Sequence, residues 1–317
     1  MFSLIKKLQE MLSNVKKNKG LWFTTISVVS VSGIVIFMYV ILTMTNSVKE
    51  EVYTSITASY FKSLENILKD KKHKYLEVSQ AILSNTRVVE ALAQNDIAFL
   101  DRYAMGLNEM YAKNDLKALS IHFFSASDTT STLRDTISAT LRSKSQISGL
   151  EVQQDGVFIT LIQPVMSGEN FVGLIEVKQS IHSLKDDFEV NSNNFVFLLD
   201  KKMLVKLSLQ AKSGRYKDVI SDYIVYQSAY SSRFYTKITE AGDELFAYER
   251  RYGFGTDDAY FRTYKKATDI NGADIGLYVI GEEIEKNKGF VNIAESMVNS
   301  VTAVSLGLVI SILLFMF

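Results

Sequence analysis

Residues 150–178 read LEVQQDGVFITLIQPVMSGENFVGLIEVK, and the punctuation of this stretch gives three strands. Leu150–Gln153, Val157–Gln163 and Phe171–Lys178 are short runs rich in β-branched and aromatic residues, the composition that suits a pleated, half-buried surface. Asp155-Gly156 separates the first two, and Ser167-Gly168-Glu169-Asn170 separates the last two; both are hairpin signals. Pro164, the only proline in the chain, ends its strand where a ladder N–H is no longer needed. An antiparallel sheet follows from these signals.

Outward from this core the texture is mixed. Upstream, Ala118–Phe124 (ALSIHFF) reads as another strand, Ser125–Thr132 as a small-polar turn, and Ile137–Ser145 as a helix. Ile97 to about Ala112 is a helix. Before it, Asn46 to about Leu92 reads as one long helix, with its weakest point near Lys69–Lys74. Val48, Val52, Ile56, Tyr60, Leu64 and Ile67 recur at steps of three and four, and no Pro or Gly lies between Val40 and Tyr103. Some 45 helical residues span about 65 Å. The apolar seam pairs with its counterpart in a homodimer or packs on its own domain. Downstream, Phe195–Leu199 reads as a buried strand, Lys217–Ala229 as a helix, and Ser232–Thr239, Glu244–Arg250, Tyr260–Thr268 and Ile275–Ile280 as strands. Asn271-Gly272 marks a hairpin between the last two. A final helix is expected from about Glu282. The fold class is therefore α+β: a long N-terminal helix with two antiparallel-sheet modules.

The ends of the chain differ from its middle. Leu21–Met44 holds 24 residues with no ionisable side chain, enough to cross a bilayer core. It is too long for a signal-peptide core. Five lysines and one Glu in residues 1–20 precede it, which predicts a cytoplasmic N-terminus. Val298–Phe317 is a second uncharged run. The chain stops inside it with no Lys or Arg on the far side, an ending expected of a split gene, a truncation or an artificial boundary, with the output region absent. The resulting division is 1–20 cytoplasmic, 21–44 transmembrane, 45–190 long helix plus membrane-distal module, 191–296 membrane-proximal module and 297–317 transmembrane. The sensor part then lies in the periplasm of a two-pass inner-membrane protein.

Composition excludes several classes. Lys+Arg and Asp+Glu number 35 each, so no basic field for nucleic acid exists. With no Cys there is no disulfide, thiolate nucleophile or Cys-ligated zinc. No spacing of His, Asp or Glu suggests a metal site, no cofactor motif is present, and no catalytic dyad or phosphate loop appears. The chain reads as no enzyme.

The layout of span, long helix, two α+β modules and span resembles the double Cache sensor, the PAS-like extracytoplasmic domain of bacterial chemoreceptors, sensor histidine kinases and some cyclic-dinucleotide enzymes. The resemblance is carried by Ser120-Ile-His-Phe-Phe, Ser131-Thr-Leu-Arg134, Gly149-Leu-Glu151, Gly156, Pro164-Val165 and Val172-Gly-Leu-Ile-Glu176, in that order. It implies a ligand pocket floored by a sheet face of the distal module. Arg134 would hold a ligand carboxylate or phosphate bidentately, or instead pair with Asp135, Asp128 or Glu176. His122, on the face opposite Ile121 and Phe123, would hydrogen-bond a ligand or respond to pH, or serve as a structural His. Phe124 and Ser131 come with the same motifs. Thr160 or Gln163 would line the pocket, and Glu176 would meet a ligand amine or pair with Arg134. The function implied is a transmembrane chemoreceptor of the methyl-accepting chemotaxis type. It would sense a small polar molecule such as an organic acid or amino acid, act as a homodimer through the long helix and spans, and signal to a cytoplasmic module or a separate output protein. The alternatives are the sensory half of a histidine kinase or cyclic-dinucleotide enzyme, and a ligand-free scaffold that docks a periplasmic binding protein.

Overall fold

The structure is a computed structural model and describes residues 19–113, 119–127, 134–212, 216–217, 220–226, 230–284, 296, 299–307 and 310–311. The chain divides into two compact units, one of residues Met1–Ile56 with Asn287–Phe317 and one of Thr57–Lys286.

In the first unit the helix α1 (Lys19–Leu83) begins. It contains the uncharged run 21–44, most of whose side chains fall outside the described residues. Those described include Val28, Val35, Ile36, Tyr39 and Val40, all exposed. Among the described residues no helix is long and apolar enough to cross a membrane. The second expected span lies largely outside the described residues; of its side chains, Val301, Val304, Leu306 and Ile310 are exposed.

In the second unit α1 continues without interruption through Lys69–Lys74 to Leu83, so the expected weak point is not a break. The break comes later, and Asn85 makes it: its side chain accepts from the Arg87 N–H at 3.1 Å and caps α2 (Thr86–Gln94). Asn95, in the left-handed region at φ 56°, stops α2, and α3 (Ile97–Lys113) follows. What reads as one helix to Leu92 is therefore two.

The first sheet has strands β1 (Leu119–Ser125), β2 (Ile147–Gln153), β3 (Gly156–Ser167) and β4 (Asn170–Ser180), with the short helix α4 (Asp135–Ser143) between β1 and β2. All pairings are antiparallel in the order β1-β4-β3-β2. β3 runs past Pro164 to Ser167. Its pairing with β2 has already ended at Ile147↔Ile162, so the missing proline N–H faces no ladder partner. Alternation separates the two faces. Leu119, Ile121, Leu150, Ile159, Leu161, Ile175 and Val177 join the buried cluster that includes Leu64, Tyr75 and Ile82 of α1 and Leu92 of α2. The other face carries His122, Glu151, Phe158, Thr160, Glu176 and Lys178, by register of the paired strands. Burying polar residues on a sheet face costs free energy unless each is paired, so this face is where function is sought. At the β1 edge, Asn108 of α3 donates to the Ile121 carbonyl at 3.3 Å and accepts from its N–H at 2.7 Å.

After α5 (Ser183–Glu189) the second sheet is built from β5 (Asn194–Asp200), β6 (Tyr216–Lys217), β7 (Tyr223–Tyr226), β8 (Phe254–Thr256), β9 (Tyr260–Thr268) and β10 (Asp274–Glu283), in the order β6-β7-β5-β10-β9-β8. The one-turn helix α6 (Leu209–Lys212) joins β5 to β6. Four expectations are corrected here. Residues 217–229, expected as a helix, hold β7. Ser232–Thr239 and Glu244–Arg250, expected as strands, are the helices α7 (Ser232–Glu240) and α8 (Gly242–Tyr252). The aromatic and β-branched residues of 232–239 mimic a strand, but Phe234 and Ile238 are four apart and both buried, which is helical spacing. Ser231 caps α7 by accepting from Phe234 N–H at 3.3 Å, and Gly253, at φ 87°, ends α8. β10 continues to Glu283, where a helix was expected; residues 285–295 lie outside the described ones.

The β9–β10 turn touches the first sheet. Ile270 N–H donates to the Leu150 carbonyl of β2 at 2.8 Å.

Candidate functional site

The polar face of the first sheet carries a connected cluster, assembled from α4 and three strands. Arg134 immediately precedes α4 in extended conformation. One of its terminal nitrogens donates to Glu151 Oε2 and the other to Glu176 Oε1, so the guanidinium fork is shared between two carboxylates from different strands. Thr136 donates its hydroxyl to Glu151 Oε1. Gln153 Nε2 donates to Glu151 Oε2 at 2.8 Å and to Glu176 Oε1 at 3.2 Å. Lys178 Nζ donates to Gln153 Oε1 at 2.6 Å and pairs with Asp155 Oδ2 at 3.0 Å; it also lies 4.3 Å from the Phe158 ring centre, within cation–π range. Glu176 and Lys178 are only 1% and 6% exposed. Buried charges of this kind persist only when paired, and the network supplies the pairing.

The cluster holds three carboxylates (Glu151, Glu176 and Asp155) against two cations, Arg134 and Lys178. Its formal charge is therefore negative while His122 is neutral. His122 stands opposite Glu176 in the β1–β4 register, and its Nε2 is 3.0 Å from Ser120 Oγ. Desolvation lowers its pKa from the ordinary value, and the Lys178 ammonium adds to that. Its side chain keeps an exposed surface.

The structure brings Arg134, Glu176 and His122 together. Phe124 is on the same face, packed with Ile137 of α4, Ile162 and Leu174, where it forms apolar floor. The Thr160 hydroxyl is buried without a hydrogen-bond partner, on the strand position opposite Lys178. Gln163 stands apart: it is on the opposite face, where its Oε1 accepts from Ser79 of α1. Ser131 lies outside the described residues. Gln153, Lys178 and Thr136 were not singled out by sequence, and Ser120 and Glu151 entered only as motif residues without a site role. The available signal was polar residues two apart inside otherwise apolar strands, Glu151 with Gln153 and Glu176 with Lys178.

The second sheet has its own buried ionic group. Arg262 on β9 pairs with Glu249 of α8 at 2.9 Å and with Asp257, and Tyr264 donates to Glu249 Oε2 at 2.6 Å. A Cβ at Gly255 would lie 1.9 Å from the Glu249 carboxyl carbon, so β8 needs glycine at that position. This group is closed and self-satisfied apart from Arg262 Nε, and we assign it to stability.

Residues 53–286 match the family model dCache_3, the double sensory domain of two-component sensor kinases. The chain belongs to this family. The double sensory domain is an extracytoplasmic, ligand-binding sensor module of membrane receptors, and its chemistry is recognition. Similar solved structures include the sensor domain of the Vibrio cholerae histidine kinase DctB (11% identity, 72% of this chain and 97% of that one, TM-score 0.36). Another is the ligand-binding domain of the Campylobacter jejuni chemoreceptor Tlp3 in complex with 4-methylisoleucine (11%, 78% and 95%, TM-score 0.39). A third is the periplasmic domain of Vibrio cholerae LuxQ (14%, 67% and 94%, TM-score 0.37). No curated protein sequence matches the chain.

Proposed function

We propose that this double sensory domain binds a small polar molecule on the Arg134 face of the first sheet and reports it across the inner membrane. The observation that carries the reading is the network of Arg134, Glu151, Glu176, Gln153 and Lys178 beside His122, balanced in charge where it is buried and made net acidic by the exposed Asp155 at its edge. Unlike the closed Arg262 group, this network reaches the surface, through Arg134, which is a quarter exposed, and the exposed His122 beside it. Because the carboxylates outnumber the cations, the favoured ligand brings a cationic group, as an amino acid or an amine does. It displaces one Arg134–carboxylate contact and offers its own carboxylate, where present, to the freed guanidinium.

The uncharged runs 21–44 and 297–317, with Val28, Val35, Ile36, Val301 and Val304 exposed, support two membrane spans flanking a periplasmic sensor. Tyr60, Leu64 and Ile67 of the α1 seam pack on the chain's own core, so a homodimer would form through the earlier part of α1 and the spans. Output is proposed as chemotaxis-type signalling through a cytoplasmic module or a separate protein. A second reading, kinase output, is favoured by the family's own description.

The test is a thermal-shift screen of the full chain in nanodiscs against amino acids, amines and dicarboxylates, with Arg134→Ala alongside. A ligand at a hundred times its Kd adds about 2.7 kcal/mol. A shift with an amino acid or amine that disappears in Arg134→Ala supports the reading. A response to dicarboxylates alone overturns the charge argument, and a hit that survives the substitution overturns the site.

A further inference from the structure

The opposite face of the first sheet holds a second opening that the polar network does not reach. A cavity of about 380 Å³ is bounded by Leu64, Leu68 and Tyr75 of α1, by Leu150 and Ile159 of the first sheet, and by Tyr278 of the second. Volumes of this order are those of small-molecule pockets. Its rim carries Lys69, Lys72, Lys265 and Lys266. Lys265 is engaged by Glu65, and Lys266 pairs with Asp274 at 2.9 Å. Among the described residues, Lys69 and Lys72 make no ion pair. Tyr278 is 4% exposed, and among the described residues its hydroxyl has no hydrogen-bond partner. Burial holds that hydroxyl above the ordinary tyrosine pKa, so it keeps its O–H and can donate a hydrogen bond. A hydroxyl with no acceptor of its own, in the wall of an apolar chamber with a cationic mouth, is complementary to one kind of molecule.

We propose that this cavity is a second ligand site, for a small carboxylate with an aromatic or alkyl body. The body fills the space among Leu64, Leu68, Leu150 and Ile159. The carboxylate lies at the rim, drawn by Lys69 and Lys72 and accepting from Tyr278 where it reaches inward. The two sites are separate because alternate residues of the same strand serve them: Leu150 faces the cavity and Glu151 the polar network. They also differ in charge preference, one favouring a cationic group and the other an anion. Since the walls come from α1 and both sheets, an occupant contacts all three at once.

The test is calorimetric titration of the full chain in nanodiscs with 4-phenylbutyrate and, separately, with 4-phenylbutylamine, each corrected for empty nanodiscs. The expected result is saturable binding of the carboxylate that weakens about tenfold, or roughly 1.4 kcal/mol, in the double variant Lys69→Gln, Lys72→Gln. Both lysines are exposed, so that variant keeps its fold. Tyr278→Phe should weaken binding further. Absence of saturable binding, equal binding of the amine, or affinity unmoved by the lysine pair would each overturn the proposal.

Discussion

Arg134 at the start of α4 and Glu176 in the middle of β4, 42 positions apart, form an ion pair in which the carboxylate is almost fully buried. The same guanidinium holds Glu151. One side chain thus ties a helix to two strands, and its removal leaves two buried acids with only amide and hydroxyl partners.

Arg134→Ala should therefore destabilise the protein by about 2–4 kcal/mol, the lower part of the range for breaking a buried pair because the arginine is a quarter exposed. Chemical denaturation read by circular dichroism measures this. The double variant Arg134→Met, Glu176→Leu should recover part of the loss, because no uncompensated charge is left at position 176.

Gly255 and Glu249 are a matched pair. Gly255→Ala places a methyl group on the carboxylate and should cost more than the 1–3 kcal/mol typical of overpacking. Adding Glu249→Ala opens the space but strands Arg262 with Asp257 alone, so the double variant should remain well below wild type. A full thermodynamic cycle on the two positions checks this.

Acid should weaken the second sheet through Asp257. Burial pushes its carboxyl upward, but the N–H groups of Ala259 at 2.7 Å and Tyr260 at 2.8 Å, with Arg262, outweigh burial and hold it below the ordinary value. A depressed carboxyl contributes stability that is complete above the unfolded value, about pH 4. The contribution is lost as pH falls through the folded value. Asp257→Asn should flatten the stability profile below about pH 4.

His122 has the opposite charge type but the same direction in pH. Its folded pKa is depressed, so the unfolded chain binds the proton first as pH drops below about 6.5. Stability is full above that value and declines toward the folded pKa. The imidazole resonances in a nuclear magnetic resonance titration should show a midpoint below 6.5, and a midpoint above it would contradict the cluster's electrostatics.

Asn85→Ala should cost about 0.5–2 kcal/mol, since it removes the cap that separates α1 from α2. Hydrogen exchange should show the loss concentrated in the first turn of α2.

The strands of the first sheet, β9, β10 and the helical length of α1 were legible because they rest on local signals: hairpin dipeptides, alternation, and the lack of any breaker. Asn85 was overlooked because a capping residue leaves no mark on apolar spacing. The helices α7 and α8 were misread because Phe234, Tyr235 and Ile238 favour strands by composition, and only their burial against the second sheet decides otherwise. Arg134, His122 and Glu176 were recognisable from motif order. Glu151 stood in the same motif order but without a site role, and Gln153 and Lys178 were not recognisable, because the three become neighbours only through strand register, which pairs Glu151 with Phe158 and Thr160 with Lys178. Gln163 and Thr160 lie on opposite faces of β3 because a single odd step along a strand exchanges one face for the other, and only strand packing shows that Gln163 meets Ser79 of α1.

The contacts at Asn108 and Ile270 have a consequence for solubility. A four-stranded sheet has two free margins, and each is a template onto which a strand from another molecule can add. On β1 the Asn108 amide occupies both main-chain groups of Ile121, and on β2 the Leu150 carbonyl is already taken by Ile270. A side chain and a turn thus do at the margins what a fifth and sixth strand would do, and they stop the sheet from growing by recruitment of a neighbour. Asn108→Ala, which looks like a quiet surface change, should reveal itself as concentration-dependent association rather than as a fall in melting temperature.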